Sequence, residues 1–349
     1  MFRVAIVTFA GERLGYGTGH VMECLRLVDE WRHRDAGIEF RVFLNAFGPA
    51  LDRVRAAGLP VEIYTDDTYG SAPLATVPTR IAAYDPRLTI VDLPTILDTE
   101  IDRLVPQIRP LAVLLDNDQN QFFPVDVLVN YNINQDADFY AGSAGTVCCI
   151  GPDYAPLSRT RLDAARAKAA GSRQRDVIVV SFGGTNPNRL ALRTLVALRA
   201  LRPHQPLAVV LGGGTPVAAR DEIKDWAATN APVDVYVDLP QDRFHEILAG
   251  SAFVVTAPGN TLYEVCYLGI PAAALAENAA TWRVAEAFAR RSWCQSLGCG
   301  PLMSDAELRV ALQRALNAAV PVATFDGLGL QRIVDALQAV LVPFAGADR

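Results

Sequence analysis

Glycine brackets the first histidine of the chain. Gly15-Tyr16-Gly17-Thr18-Gly19-His20 follows the apolar run Val4-Ala5-Ile6-Val7 and leads into the helically spaced Val21-Met22-Glu23-Cys24-Leu25-Arg26-Leu27-Val28. An imidazole between a strand and a helix sits at the carboxyl edge of a parallel sheet, where open α/β folds bind ligands. Placed there with a pKa near neutrality, and within reach of water or a hydroxyl, it can act as a general base. The competing reading is a structural histidine that caps or packs beneath the loop. Gly17 and Gly19 weigh toward a ligand, because glycine lets the backbone approach one closely. The other three histidines read as solvated: His33 at a helix end, His204 between prolines and His245 beside Glu246.

Two more junctions could hold a ligand. Thr256-Ala257-Pro258-Gly259-Asn260-Thr261-Leu262-Tyr263-Glu264 follows the apolar Ala252-Phe253-Val254-Val255. A helix starting there offers first-turn amides and a positive dipole end to a diphosphate at Gly259, Asn260 and Thr261. Thr261-x-x-Glu264 is also a capping box, so Glu264 either folds back on the helix start or points outward as a ligand for ribose hydroxyls. Ser181-Phe182-Gly183-Gly184-Thr185-Asn186-Pro187 is the second junction. It lacks the glycine pattern of dinucleotide and phosphate loops, and Thr185 or Asn186 could simply cap the next helix. Asp116, after the apolar Leu111–Leu115, can reach the same edge as His20, whereas Asp66-Asp67 reads as a turn. No metal-binding spacing is present, nor is Gly-x-Ser-x-Gly.

These junctions need strands and helices to position them. Apolar runs at 3–8, 40–44, 61–64, 88–92, 111–115 and 126–130 predict strands in the first half, with helices after Gly19, near 49–57 and near 98–107. Runs at 176–181, 207–211, 233–237, 252–256 and 271–275 predict a second set. Alternation of short apolar runs with helical patterns implies βαβ units and a parallel sheet, here built twice. The expected organisation is a Rossmann-like domain over 1–158, a linker helix over 159–175, a second Rossmann-like domain over 176–325 and a closing helix over 326–349.

At 349 residues, two domains are the better prior. Apolar residues make up 51% and mean hydropathy is +0.17, yet no apolar stretch approaches the roughly 20 residues of a membrane span. Lys and Arg number 32 against 38 Asp and Glu, a net charge of -6, and the absence of basic runs argues against a nucleic-acid partner. The start shows no signal-peptide pattern, and six cysteines without Cys-x-x-Cys spacing read as buried thiols. A cytoplasmic location is the expectation.

Taken in order, the His20 turn, Gly151-Pro152-x-Tyr154-Ala155-Pro156-Leu157, the Ser181–Pro187 turn, Gly259-Asn260-Thr261-x-x-Glu264 and Asp326-Gly327-x-Gly329-x-x-Arg332-Ile333-Val334 span nearly the whole chain. Together they resemble the PseG/SpsG-like family, the nucleotide-sugar hydrolases of pseudaminic acid biosynthesis, similar in turn to the MurG-type glycosyltransferases of the GT-B fold. The resemblance implies an α/β, GT-B-like fold of two Rossmann-like domains with an interdomain cleft holding a UDP-sugar. It implies Gly183, Gly184, Thr185, Gly259, Asn260 and Thr261 around the nucleotide, Glu264 at the ribose and the backbone near Val237 at the base. His20 would be the catalytic base that activates water against the anomeric carbon, with inversion, and Asn278 a second catalytic position. Gly17, Gly19, Glu23 and Asp116 would face the sugar or an acceptor. No metal and no cofactor are implied.

The chain departs from the family at three places. Glu23 replaces the arginine of Gly-His-x-x-Arg, Asp92-Leu93-Pro94 replaces Asp-His-Tyr, and Asn278-Ala279 replaces Asn-Gln. Glu23 suits a cationic or amino-bearing partner, and Asn278 either binds sugar or caps the next helix. Three functions follow from the resemblance: an inverting hydrolase of a UDP-linked amino- or deoxy-sugar, an inverting glycosyltransferase with an unknown acceptor, or a nucleotide-sugar-binding protein without catalysis.

Overall fold

The computed structural model describes residues 2–11, 17–65, 73–94, 96, 101–102, 105–108, 110–171, 176–318 and 326–341. Gly15 and Tyr16, Asp66-Asp67, half of the helix expected near 98–107 and positions 172–175 of the expected linker lie outside them. The chain divides into two units, Met1–Pro156 with Leu328–Arg349, and Leu157–Gly327.

In the first unit β1 (Phe2–Thr8), β2 (Ile38–Asn45), β3 (Val61–Thr65), β4 (Leu88–Asp92), β5 (Leu111–Leu115), β6 (Val127–Asn130) and β7 (Val147–Ile150) form a parallel sheet in the order β3-β2-β1-β4-β5-β6-β7. Helices α1 (Gly19–Arg34), α2 (Gly48–Ala56) and α3 (Pro73–Tyr84) accompany it. Val4, Ala5, Ile6 and Val7 are fully buried, as a strand covered on both faces requires. Burying each large aliphatic side chain contributes about 1.5–3 kcal/mol. Thr8 pairs with Asp92 across β1 and β4, which brings the turn after β1 and the carboxylate ending β4 to one edge.

The second unit repeats the plan with β8 (Ile178–Ser181), β9 (Leu207–Leu211), β10 (Val233–Val237), β11 (Phe253–Thr256), β12 (Ala272–Ala276) and β13 (Gln295–Cys299), all parallel, in the order β10-β9-β8-β11-β12-β13. Its helices are α4 (Arg159–Ala170), α5 (Leu190–Leu201), α6 (Val217–Thr229), α7 (Gln241–Ala249), α8 (Asn260–Leu268), α9 (Ala279–Arg290) and α10 (Asp305–Asn317). The expected linker helix is α4, which falls inside this unit and packs on α7 and α8. Leu162, Ala165 and Ala169 are buried, so this helix is not solvated all round. The last helix, α11 (Gly329–Ala339), returns to the first unit, burying Leu330, Ile333, Val334 and Leu337, and packs on α1. Its start is tight: a Cβ on Gly329 would lie 2.2 Å from the carbonyl oxygen of Ala155.

Three elements were not expected from the sequence. Helix α3 carries Pro78 in its interior, a residue that reads as a helix breaker. Strands β7 and β13 are edge strands with partly exposed residues, and β13 is interrupted by Gly298 at φ +101° beside a register shift.

Candidate active site

Each sheet has a switch point, the gap between two strands whose chain connections run to opposite sides, and open α/β sheets bind ligands there. In the first sheet it lies between β1 and β4. Helix α1 begins just after β1, and His20 occupies its first turn. Asp92, the last residue of β4, reaches across: its Oδ1 lies 2.6 Å from His20 Nδ1. The Cys24 thiol donates to Asp92 Oδ2 at 3.4 Å. Asp92 is 1% exposed and His20 20%, so the carboxylate is fixed while the imidazole keeps an open edge.

Glu23, one turn further along α1, is 5% exposed. Asp116 follows β5 and accepts from Asn132 Nδ2 at 2.8 Å. The Tyr131 hydroxyl, after β6, lies against the carboxylates of Glu23 and Asp116. Gly17 accepts a hydrogen bond from the Gly11 amide, and a Cβ on Gly19 would meet nothing within 4 Å. The structure thus brings His20, Glu23 and Asp116 of the sequence-based set together at one sheet edge.

The charges here oppose one another. Burial disfavours an imidazolium at His20, but the Asp92 carboxylate, through its charge and its hydrogen bond, outweighs this with help from Glu23 and Asp116 and lifts His20 to about 9. Burial, then the charge of Asp92, pushes Glu23 up to about 7 against the pull of His20. Burial, reinforced by Asp92 and Glu23, also raises Cys24, which stays a thiol. One donor atom each of His20, Glu23 and Asp92 lies within 4.8 Å of the others. His20 Nδ1 and Asp92 Oδ1, however, are joined by a hydrogen bond at 2.6 Å, closer than the roughly 3.3 Å separating two ligands of a tetrahedral zinc ion.

The second sheet has its switch point between β8 and β11, and both glycine turns singled out in the sequence follow those strands. Gly183, at φ +65°, and Gly184 and Thr185 follow β8. A Cβ on Gly212 would lie 2.5 Å from the Gly184 Cα, so Gly212 must be glycine for the loops after β8 and β9 to pack. Gly259 is the residue before α8, no side chain caps that end, and a Cβ there would meet open space. The N-terminus of α8 therefore presents its positive dipole end. Val237, half-buried, ends the edge strand β10.

Three expectations change here. The capping box of Thr261 and Glu264 does not form, because α8 already starts at Asn260 and Thr261 lies within it. Glu264 is instead 1% exposed, with Oε1 3.4 Å from Nε2 of His245. His245 itself is wholly buried rather than solvated, because α7 packs against α4 and α8. Asn278 caps α9: its side chain accepts from the Thr281 amide at 3.0 Å while the Thr281 hydroxyl accepts from the Asn278 amide at 3.1 Å. Of its two readings the structure fills the capping one, and a catalytic role for Asn278 is not carried forward. His33 and His204 are exposed as expected.

Sequence reasoning missed Cys24, Tyr131 and Asn132 as members of the site, and it noted Asp92 only as the start of Asp92-Leu93-Pro94, without a role. For Asp92 a signal existed: it ends an apolar strand, as Asp116 follows one. Nothing in the residue types marks Tyr131 and Asn132.

The chain is an α/β protein of the GT-B-like class, with two parallel sheets of 7 and 6 strands. It is similar over 97% of its length to UDP-GlcNAc 2-epimerase from Neisseria meningitidis bound to UDP-GlcNAc, covering 100% of that chain at 11% identity with a TM-score of 0.68. It is similar to MurG of Acinetobacter baumannii over 97% of this chain and 99% of that one, at 13% identity and a TM-score of 0.63. These likenesses are of fold. In sequence, the uncharacterized protein MJ1062 of Methanocaldococcus jannaschii is 21% identical over 287 residues, 79% of this chain. The match covers 56% of that protein, so the chain spans about half the length of this relative. No protein-family model matches. No helix among the described residues is long and apolar enough to cross a membrane.

Proposed function

We propose that this protein acts on a nucleotide-linked sugar, UDP-linked by preference, and cleaves the bond between the anomeric carbon and the diphosphate with water as nucleophile. The observation that carries the reading is the His20–Asp92 pair at the switch point of the first sheet, with Glu23 and Asp116 beside it. Support comes from the second unit, where Gly183, Gly184, Thr185, Gly259, Asn260 and Thr261 stand at the matching switch point beside an α8 N-terminus that suits a diphosphate. Solved structures of this fold include enzymes bound to UDP-GlcNAc or UDP. In this reading the backbone near Val237 meets the base, and Gly17 and Gly19 leave room for the sugar, while Glu264, buried against His245, does not take the ribose role expected from the resemblance. His20, held as imidazolium at neutral pH, donates from Nε2 to the sugar or the nucleophile. This reading departs from the base role expected of His20, because the Asp92 carboxylate favours the protonated ring.

The test is incubation with a panel of UDP-, TDP-, GDP- and CMP-sugars, the products being identified by mass spectrometry. Free sugar and nucleotide without an added acceptor is the expected outcome. Consumption only with an acceptor supports a glycosyltransferase, and an altered sugar still joined to its nucleotide supports an epimerase. Nucleotide binding by thermal shift with no turnover supports a binding protein, and neither binding nor turnover refutes the reading.

A further inference from the structure

We propose that Glu23 is the catalytic base of this site, taking the proton from the attacking water, while His20, hydrogen-bonded to Asp92, positions that water. The inference rests on the hydrolytic reading above. Glu23 follows His20 by one turn of α1, is 5% exposed, and one donor atom each of Glu23, His20 and Asp92 lies within 4.8 Å of the others, so its carboxylate stands beside the imidazole in the same cluster. The groups facing Glu23 are His20 and Cys24 from α1, Asp92 from β4, Asp116 after β5 and Tyr131 after β6. A proton arriving on Glu23 relieves repulsion from the carboxylates of Asp92 and Asp116, against the attraction of His20.

His20 is poorly suited to the same task. Its Nδ1 is committed to Asp92, and with the imidazole lifted to about 9, about one molecule in a hundred carries the neutral ring at pH ~7. A base works best with a pKa near the operating pH, and Glu23, raised to about 7, meets that condition. In the step itself, one O–H bond of water breaks as its proton passes to a Glu23 oxygen. The water oxygen bonds to the anomeric carbon, and the carbon–oxygen bond to the diphosphate breaks with its electron pair leaving on UDP. Glu23 then returns the proton to solvent, and His20 stays protonated throughout.

The experiment compares pH profiles of kcat/KM for the wild type, Glu23→Gln and Glu23→Ala, following UDP release from a donor that the wild type turns over. Loss of a general base costs about a hundredfold or more, and that loss is expected in Glu23→Gln. Its residual activity should fall as pH rises toward about 9, as His20, no longer held up by the charge of Glu23, gives up its proton. Added formate should restore turnover to Glu23→Ala, whose melting temperature reports that it is folded. Residual Glu23→Gln activity that instead rises through about 9 would make His20 the base and overturn the assignment. Near wild-type turnover in Glu23→Gln overturns it as well, while the hydrolytic reading stands. A wild type that turns over no donor overturns both.

Discussion

Replacing Asp92 by Asn keeps the size of the side chain and removes the charge that sets the protonation of His20. The step from the ordinary 6.5 to about 9 corresponds to about 3 kcal/mol of preference for the imidazolium in the fold. Burial opposes that preference and the Asp92 carboxylate supplies most of what overcomes it, so in Asp92→Asn burial regains the upper hand. His20 should then titrate below about 7 in a proton–nitrogen NMR titration of the imidazole. Stability should follow by linkage. A histidine whose pKa is raised by folding contributes stability that is complete below its unfolded value of 6.5 and is lost as pH rises through about 9. In urea denaturation of the wild type between pH ~7.5 and ~9.5, His20 should therefore contribute about 2 kcal/mol of the stability lost. Asp92→Asn should lose about 2 kcal/mol less over the same range, the buried cysteines raised by folding acting in both proteins alike. An imidazole that still titrates near 9 in Asp92→Asn, or an unchanged pH dependence of denaturation, would refute the electrostatic account of this site.

Two other substitutions probe the second unit. Gly212→Ala places a Cβ 2.5 Å from the Gly184 Cα and 2.7 Å from the carbonyl oxygens of Gly183 and Gly184. Overpacking of this kind costs about 1–3 kcal/mol, and the displaced turn should weaken any UDP-induced thermal shift; an unchanged melting temperature and shift would contradict the close approach. Asn278→Ala removes the α9 cap and should lower stability by about 1 kcal/mol with turnover intact. A hundredfold drop in kcat would instead restore a catalytic part for Asn278.

Both sheets were legible because parallel strands covered on both faces read as unbroken apolar runs, as in Val4-Ala5-Ile6-Val7 and Val177-Ile178-Val179-Val180. The two strands that escaped, β7 and β13, lie at sheet edges, where partial exposure dilutes the pattern. His20 stood out because its neighbours are glycines. Its partner Asp92 sits 72 residues away, and what joins them is the adjacency of β1 and β4, a property of strand order that local spacing does not carry. The same limit explains Glu264 and His245: each lies on a helix with ordinary polar content, and only the packing of α7 on α8 brings them together. Asn278 was ambiguous because an asparagine before a helix and three residues before a threonine has a local use that needs no ligand.

The return of α11 to the first unit has a consequence for biosynthesis. Residues 157–327 must leave the ribosome before Leu330, Ile333, Val334 and Leu337 can cover the flank of α1. The nascent second unit can close on its own contiguous sequence, while the first waits with an apolar flank uncovered on the helix that carries His20 and Glu23. Maturation of the first unit is thereby tied to completion of the second, and chains stalled before residue 328 are the ones a chaperone or protease can recognise by that exposed surface.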